Sequence, residues 1–518
     1  MKNSEEHDFS IVAVDKFIQA TRDSGYKGTA SAVAELVDNS LQAGATIIKL
    51  SISASDDEGQ YPINLAVIDN GSGMDQHTLR TALRFGGSTR FNRRDGLGRY
   101  GMGLPNSSLS QAQRVTVHTW RSCGGPVICS YLDLDEIAAG ELTAVPLPRS
   151  VGTPSFINGY GSGTAVTWSR CDRLDHSRIS TLVRKLLLSL GRRFRHFIWD
   201  GVTITVNGDK VRPIDPLFLH SNAMFNGATE YTSFEREIAV NPGDPSVTGI
   251  VRVRFSELPV GDWSRLSNQE KREIGIAKGA GVSIVRGGRE VDYGWLFLGG
   301  KRRENYDDWW RCEIQFDPVL DEAFGITHTK QQIRPRPHLI EALAGDMEST
   351  ARALNSRARK AHLSVKIAER FSSSEERATE KDSLLTPLPA MARPRDTLVL
   401  ESLKKELSRP PQTVREHEDD IEYRIVPKAL SDTCFFNYAR AEGKLVLVLN
   451  PDHPFYKLVY KPLLESEDQR DVATRMSIDL LLLAAARAEA LIEGNDESKV
   501  AERLRADWSD TLATFLNR

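Results

Sequence analysis

The chain has 518 residues, of which 40% are hydrophobic and 26% charged, with a formal net charge of -3. That is ordinary for a globular protein and, at roughly 150 residues per domain, leaves room for about three domains with more than one core. The near-neutral balance excludes wholesale coating of nucleic acid by a basic surface, though not a local basic groove.

Membrane insertion and secretion are not expected either. The longest apolar run, near 480–486, sits among Asp479, Arg487 and Glu489 and falls far short of the roughly 20 residues a helical span needs. The start, 1–8, is polar and acidic, without the basic and apolar regions of a secretory signal. Five cysteines with no CxxC pair fit buried thiols in a reducing cytoplasm and suggest no metal site.

In chain order, residues 30–43 read as a helix, because Val33, Leu36, Val37 and Leu41 recur at helical spacing and Gly44 stops the run. Residues 46–53 alternate as a strand with Ile48, Leu50 and Ile52 on one face. A second strand, 64–68, ends at Asp69-Asn70-Gly71, and 78–85 looks helical. The glycine-rich, basic segment 86–103 reads as a loop, 106–112 as a helix, and 114–119 and 164–169 as strands. Mixed elements in this order predict an α/β sandwich. A second α/β unit is expected over 214–336, with strands at 248–255, 281–286 and 311–316. One long helix is expected over 337–370, and the Ser-, Glu- and Pro-rich stretch 371–394 reads as a linker. A last unit, 397–518, has its clearest strand at 444–449 and two closing helices at about 470–492 and 498–516.

Four short elements carry chemistry. In Glu35-Leu36-Val37-Asp38-Asn39-Ser40, Glu35 and Asn39 are four apart and share one helix face. A carboxamide oxygen suits Mg2+, and a carboxylate can orient and deprotonate water. Asp69-Asn70-Gly71-Ser72-Gly73-Met74 follows a strand, so its carboxylate can accept from the exocyclic amine of adenine while the glycines let backbone approach a flat base. Gly96-Leu97-Gly98-Arg99-Tyr100-Gly101-Met102-Gly103 exposes backbone N–H groups to phosphate ahead of a helix start. It is neither a Walker loop nor a dinucleotide fingerprint. Gly161-Ser162-Gly163-Thr164 leads into a strand, where a hydroxyl could support the base contact.

Each element alone is commonplace, but together and in this order they resemble the GHKL superfamily of ATPases. The stretch ELVDNSLQAGAT (35–46) and IDNGSGM (68–74) look like MutL and the MORC proteins. The resemblance covers 30–169 well and 170–335 more loosely. It implies a Bergerat-type α/β (α+β) ATPase sandwich over 1–213, a transducer α/β domain over 214–336, a long helix and linker over 337–396 and a small C-terminal α/β domain over 397–518. By the same resemblance Glu35 is the general base, Asn39 the magnesium ligand and Asp69 the adenine reader. Asp38, Gly71, Gly73, Met74 and Thr164 join the nucleotide pocket. Gly98, Arg99, Tyr100, Gly101, Met102 and Gly103 form the phosphate-binding end of a mobile lid. Lys330, within Thr327-His328-Thr329-Lys330-Gln331-Gln332, stands where relatives carry a lysine that reaches the γ-phosphate. Gln42 departs from the acidic residue that MutL-like sequences often have there.

The implied activity is slow Mg-ATP hydrolysis by an ATP-dependent homodimeric clamp engaged in DNA-related work, such as repair, restriction or antiviral defence. A nuclease or helicase partner would supply any cutting or unwinding. A chaperone-like remodelling ATPase and a binding-only, ATP-regulated scaffold are the alternatives. Three basic runs, Arg192-Arg193-Phe194-Arg195-His196, Lys301-Arg302-Arg303 and Arg357-Ala358-Arg359-Lys360, could touch phosphate backbones or could be solvated faces.

Overall fold

The structure is a computed structural model that describes residues 14–26, 28–55, 62–87, 102–154, 157, 159–326, 332–389, 401–403, 421–441 and 443–517. The chain divides into two compact units, Met1–Arg359 and Lys360–Arg518.

The first unit opens with a sheet of eight strands: β1 (Ile47–Ala54), β2 (Ile63–Asp69), β3 (Arg114–Trp120), β4 (Val127–Asp133), β5 (Arg149–Val151), β6 (Gly163–Ser169), β7 (Thr203–Val206) and β8 (Asp209–Lys210). Their order is β5-β4-β3-β6-β2-β1-β7-β8. Neighbours are antiparallel except β1 and β7, which run parallel. Alternation decides the faces: Ile48, Leu50 and Ile52 of β1 are buried while Ile47, Lys49 and Ser51 are exposed.

The main core lies between this sheet and the helices α1 (Val14–Ser24), α2 (Thr29–Gln42), α3 (Gln76–Leu83), α4 (Gly103–Leu109), α5 (Leu134–Ala138), α6 (Ile179–Arg193) and α7 (Arg195–Trp199). A smaller cluster, Ile68, Trp120, Val127, Ile157 and Ala165, forms separately. Burial of Leu182, Leu186 and Leu190 at four-residue spacing gives α6 its inward stripe.

A second sheet follows within the same unit, built from β9 (Thr229–Asn241), β10 (Asp244–Glu257), β11 (Val282–Arg286), β12 (Arg289–Gly294) and β13 (Trp310–Phe316) in the order β12-β11-β13-β10-β9. Leu339, Leu343, Met347, Ala351 and Leu354, along one face of the helix Pro337–Lys381, belong to its core. The second unit holds a three-stranded sheet, β14 (Glu422–Pro427), β15 (Phe436–Ala441) and β16 (Lys444–Leu449), in the order β14-β16-β15. Its core draws Leu482, Leu483 and Ala486 from the helix Gln469–Ala490, together with Phe371. Among the described residues no helix is long and apolar enough to cross a membrane.

Three expectations change. The long helix runs to Lys381, so the segment from Phe371 to Lys381 is not linker. Phe371, Ser374 and Glu375 are buried, and Ser374 Oγ donates to Asp479 at 2.7 Å, so the polar composition there belongs to a helix that packs. α4 starts at Gly103, earlier than the expected 106. Cys123 is exposed while the other four cysteines are buried, all of them free thiols.

Candidate functional site

Helix α2 is unusual for what it buries. Its apolar residues Ala32, Val33, Ala34, Leu36 and Val37 face the core, yet Glu35, Asp38 and Ser40 are buried too. Polar groups are buried at a cost unless bonded, so their presence marks a constrained site. Asn39 alone in the stretch 31–40 is half-buried.

The end of β2 meets this helix. Ser40 Oγ donates to Asp69 Oδ2 at 2.8 Å. Asp69 Oδ1 accepts from the backbone N–H of Gly71 at 2.9 Å and of Thr164 at 3.2 Å. Thr164 lies directly across from Asp69 in the β2/β6 register. A carboxylate offers roughly four acceptor positions, so three internal bonds leave one on Oδ2. Burial pushes the Asp69 carboxyl above the ordinary aspartate range, while the bonds from Gly71, Ser40 and Thr164 pull the other way.

The loop after Asp69 is pinned on two sides. Ser162 Oγ donates to Gly71 O at 2.8 Å. Met74 N–H donates to Thr119 Oγ1 at 2.8 Å, and Thr119 Oγ1 donates to Gly163 O at 3.0 Å. Gly73 has φ 66°, and a Cβ there would lie 2.1 Å from Trp120 O, so no other residue fits. At the start of α4, a Cβ on Gly103 would lie 2.4 Å from Glu35 Oε1, which puts that backbone against the carboxylate.

Asp69 at the end of β2 and Thr164 at the start of β6, central neighbours in the sheet, are thus tied to α2, which carries Glu35 and Asn39; Gly71, Gly73 and Met74 follow β2, Gly103 packs on Glu35, and Met102 is at the N-cap of α4. Gly98, Arg99, Tyr100, Gly101 and Lys330 lie outside the described residues. Asp38, also expected in the pocket, sits on α2 beside Asn39. It is fully buried, and its Oδ1 sits 2.9 Å from Arg289 Nε, so a protein cation engages it. Sequence reasoning missed Thr119 and Arg289. Neither sits in a recognisable motif: Thr119 is one of several strand threonines, and Arg289 follows an ordinary Gly-Gly turn.

The basic runs are mostly spent internally. Arg192 and Arg195 both bind Glu290, at 2.7 and 3.1 Å, and Arg195 also binds Glu313. Lys301 binds Asp307 at 2.6 Å, Arg357 binds Glu257 at 2.8 Å and Arg359 binds Glu304 at 3.2 Å. Arg195 and Lys301 are buried in these pairs, whereas Arg357 and Arg359 are exposed.

The sequence profile of the histidine kinase-, DNA gyrase B- and HSP90-like ATPases matches residues 26–164. That span contains Glu35, Asn39, Asp69, Gly71, Gly73, Met74, Met102, Gly103 and Thr164. Residues 26–164 are therefore similar to the ATPase domains of that family. The chain is 34% identical over 106 residues to Protein MICRORCHIDIA 5 of Arabidopsis thaliana, covering 20% of this chain and 15% of that protein. It is 25% identical over 243 residues to DNA mismatch repair protein MutL of Shewanella loihica, covering 45% of this chain and 36% of MutL. The match therefore spans well under half of either relative. Among solved structures, the N-terminal domain of a DNA repair protein is similar at 16% identity and TM-score 0.39, over 65% of this chain and 98% of that one. The B-subunit of DNA gyrase from Myxococcus xanthus is similar at 12% identity and TM-score 0.39, over 67% of this chain and 100% of that one.

Proposed function

We propose that the GHKL domain binds ATP with Mg2+ and hydrolyses it slowly, and that the chain works as an ATP-gated dimeric clamp in DNA-related processes. The observation that carries this reading is the Ser40–Asp69 bond. It joins the carboxylate suited to read adenine to the helix that bears Glu35 and Asn39, so base recognition and hydrolysis share one rigid piece.

In this reading the remaining acceptor position of Asp69 takes the exocyclic amine of adenine, and Gly71, Gly73, Met74 and Thr164 shape the slot for the base. Gly98, Arg99, Tyr100, Gly101, Met102 and Gly103 surround the phosphates. Asn39 offers its carboxamide oxygen to Mg2+, a hard cation that takes oxygen ligands. Bound there, the ion would neutralise phosphate charge. Glu35 takes the proton of the water that attacks the γ-phosphorus, held in place by the Gly103 backbone packed on it. Lys330 stabilises charge on the γ-phosphate. ATP then favours a closed dimer by binding it better than the open state, and hydrolysis releases it. Partner proteins such as a nuclease or helicase would act on what the clamp holds.

The test is steady-state ATP turnover and oligomeric state, by light scattering, with and without double-stranded DNA. The reading expects ATP-dependent dimers and faster turnover with DNA. Stimulation by an unfolded protein client and not by DNA would move the chain to the chaperone-like class. ATP binding with no turnover and no dimer under any condition would leave a regulatory scaffold.

A further inference from the structure

β11 and β12 are joined by a two-residue turn, Gly287-Gly288, with φ 51° and 83°. Both values lie in the left-handed region that a type I′ hairpin requires. The residues on either side, Arg286 and Arg289, pair across the hairpin and are each 2% exposed. Each arginine is committed to a carboxylate on a different element. Arg286 holds Asp321 through two bonds, at 2.6 and 2.7 Å, and Asp321 opens the short helix Asp321–Phe324. Arg289 holds Asp38 of α2. The next residue, Glu290, binds Arg192 and Arg195 at the end of α6 and the start of α7, and Arg193 between them donates to Ser31 of α2 at 3.0 Å. The hairpin of the second sheet therefore grips the first sheet's site helix directly at Asp38, and indirectly, through α6, at Ser31.

Asp38 immediately precedes Asn39 and lies three residues after Glu35 on one helix. A helix is stiff over one turn, so whatever fixes Asp38 fixes the direction in which Glu35 and Asn39 point. Desolvation offsets most of the attraction in a buried ion pair, and what such a pair supplies is geometry.

We propose that Arg289 is a positioning residue for ATP turnover: through Asp38 it sets the rotation of α2, so that Glu35 and Asn39 are aligned only while the hairpin of the second sheet is seated on that helix. The inference rests on the ATP-site reading above and adds the second sheet as the element that completes the site.

The experiment uses the full chain as wild type, Arg289→Met, Arg289→Lys, Asp38→Asn and the double variant Asp38→Asn/Arg289→Met. Three readouts are taken: turnover against ATP concentration, binding of a fluorescent ATP analogue against Mg2+ concentration, and thermal melting. A displacement of about 1 Å at a reacting group can cost about 100-fold in rate. Arg289→Met is therefore expected to lower kcat by roughly 10- to 100-fold with KM for ATP near wild type, and to raise the Mg2+ needed for half-maximal analogue binding. Asp38→Asn should do the same, the double variant should be no worse than either single, and Arg289→Lys should recover part of the loss. Should Arg289→Met fail to melt as a folded protein, Asp38→Asn and Arg289→Lys carry the comparison. Wild-type kcat and Mg2+ dependence in those variants, or losses that multiply in the double variant, would overturn the positioning role while leaving the ATP site standing. Absence of analogue binding by wild type would instead overturn the ATP-site reading, and this inference with it.

Discussion

Asp69→Asn separates base recognition from folding. In the wild type, Asp69 accepts from Gly71 N–H, Thr164 N–H and Ser40 Oγ. An asparagine keeps Oδ1 as acceptor for the two backbone groups. Its Nδ2 can donate to Ser40 Oγ, whose own hydrogen then goes to Leu36 O, 3.1 Å away. Every internal bond survives, so stability should change by less than about 1 kcal/mol. The position left for the base changes from acceptor to donor. Losing a hydrogen bond to a charged group costs about 1.5–3 kcal/mol, or roughly 10- to 150-fold in Kd for ATP. Calorimetric titration with ATP and with inorganic triphosphate checks it, because triphosphate has no base and should bind both proteins alike. Equal ATP affinity in the two proteins, or an equal loss for triphosphate, would refute the adenine-reading role. Acidification gives a second arm. Burial raises the Asp69 carboxyl, so as pH falls the folded protein takes up this proton before an unfolded aspartate would. Stability is not lost in that window, but the acceptor is, so wild-type ATP affinity should weaken there while Asp69→Asn stays flat.

Gly103→Ala should push a methyl group into Glu35 and lower kcat more than ATP affinity, measured by turnover beside equilibrium binding. Gly73→Ala meets both a positive φ and the Trp120 carbonyl, so nucleotide binding and melting temperature should fall together. Burial alone would push Glu313 up, but Arg195 and His196 beside it overcome this and hold the carboxyl well below the usual range. Its stabilisation is therefore present at neutral pH and is lost only as pH falls through that depressed value. Glu313→Gln should cost about 3 kcal/mol at pH 7 in urea melts, and the difference should shrink on acidification.

How much of this was legible in the sequence depended on how local the signal was. α2, β1 and β2 declared themselves through periodicity, and the candidate site through short motifs: Glu35 with Asn39 on one helix, and Asp69 with Gly71 and Gly73 at the end of a strand. The hairpin strand β12 carries Arg and Glu at buried positions, and this polar composition hides a strand whose charges are satisfied by α2, α6 and α7. Helix residues 371–381 read as linker because Ser374 and Glu375 look solvated, although long-range partners bury them. The partner of Asp38 was invisible for the same reason: Arg289 is 251 positions away, and nothing near it in sequence signals a site. Local chemistry was readable, and pairing across sheets was not.

The central claim is that Glu35 performs hydrolysis in a pocket that binds ATP without it. The most direct measurement is a single-turnover experiment with radiolabelled ATP on wild type and Glu35→Ala, alongside equilibrium binding of the same nucleotide. The account predicts similar affinity in both proteins, with phosphate release in wild type and none above background in Glu35→Ala. Phosphate release by Glu35→Ala at the wild-type rate would contradict it.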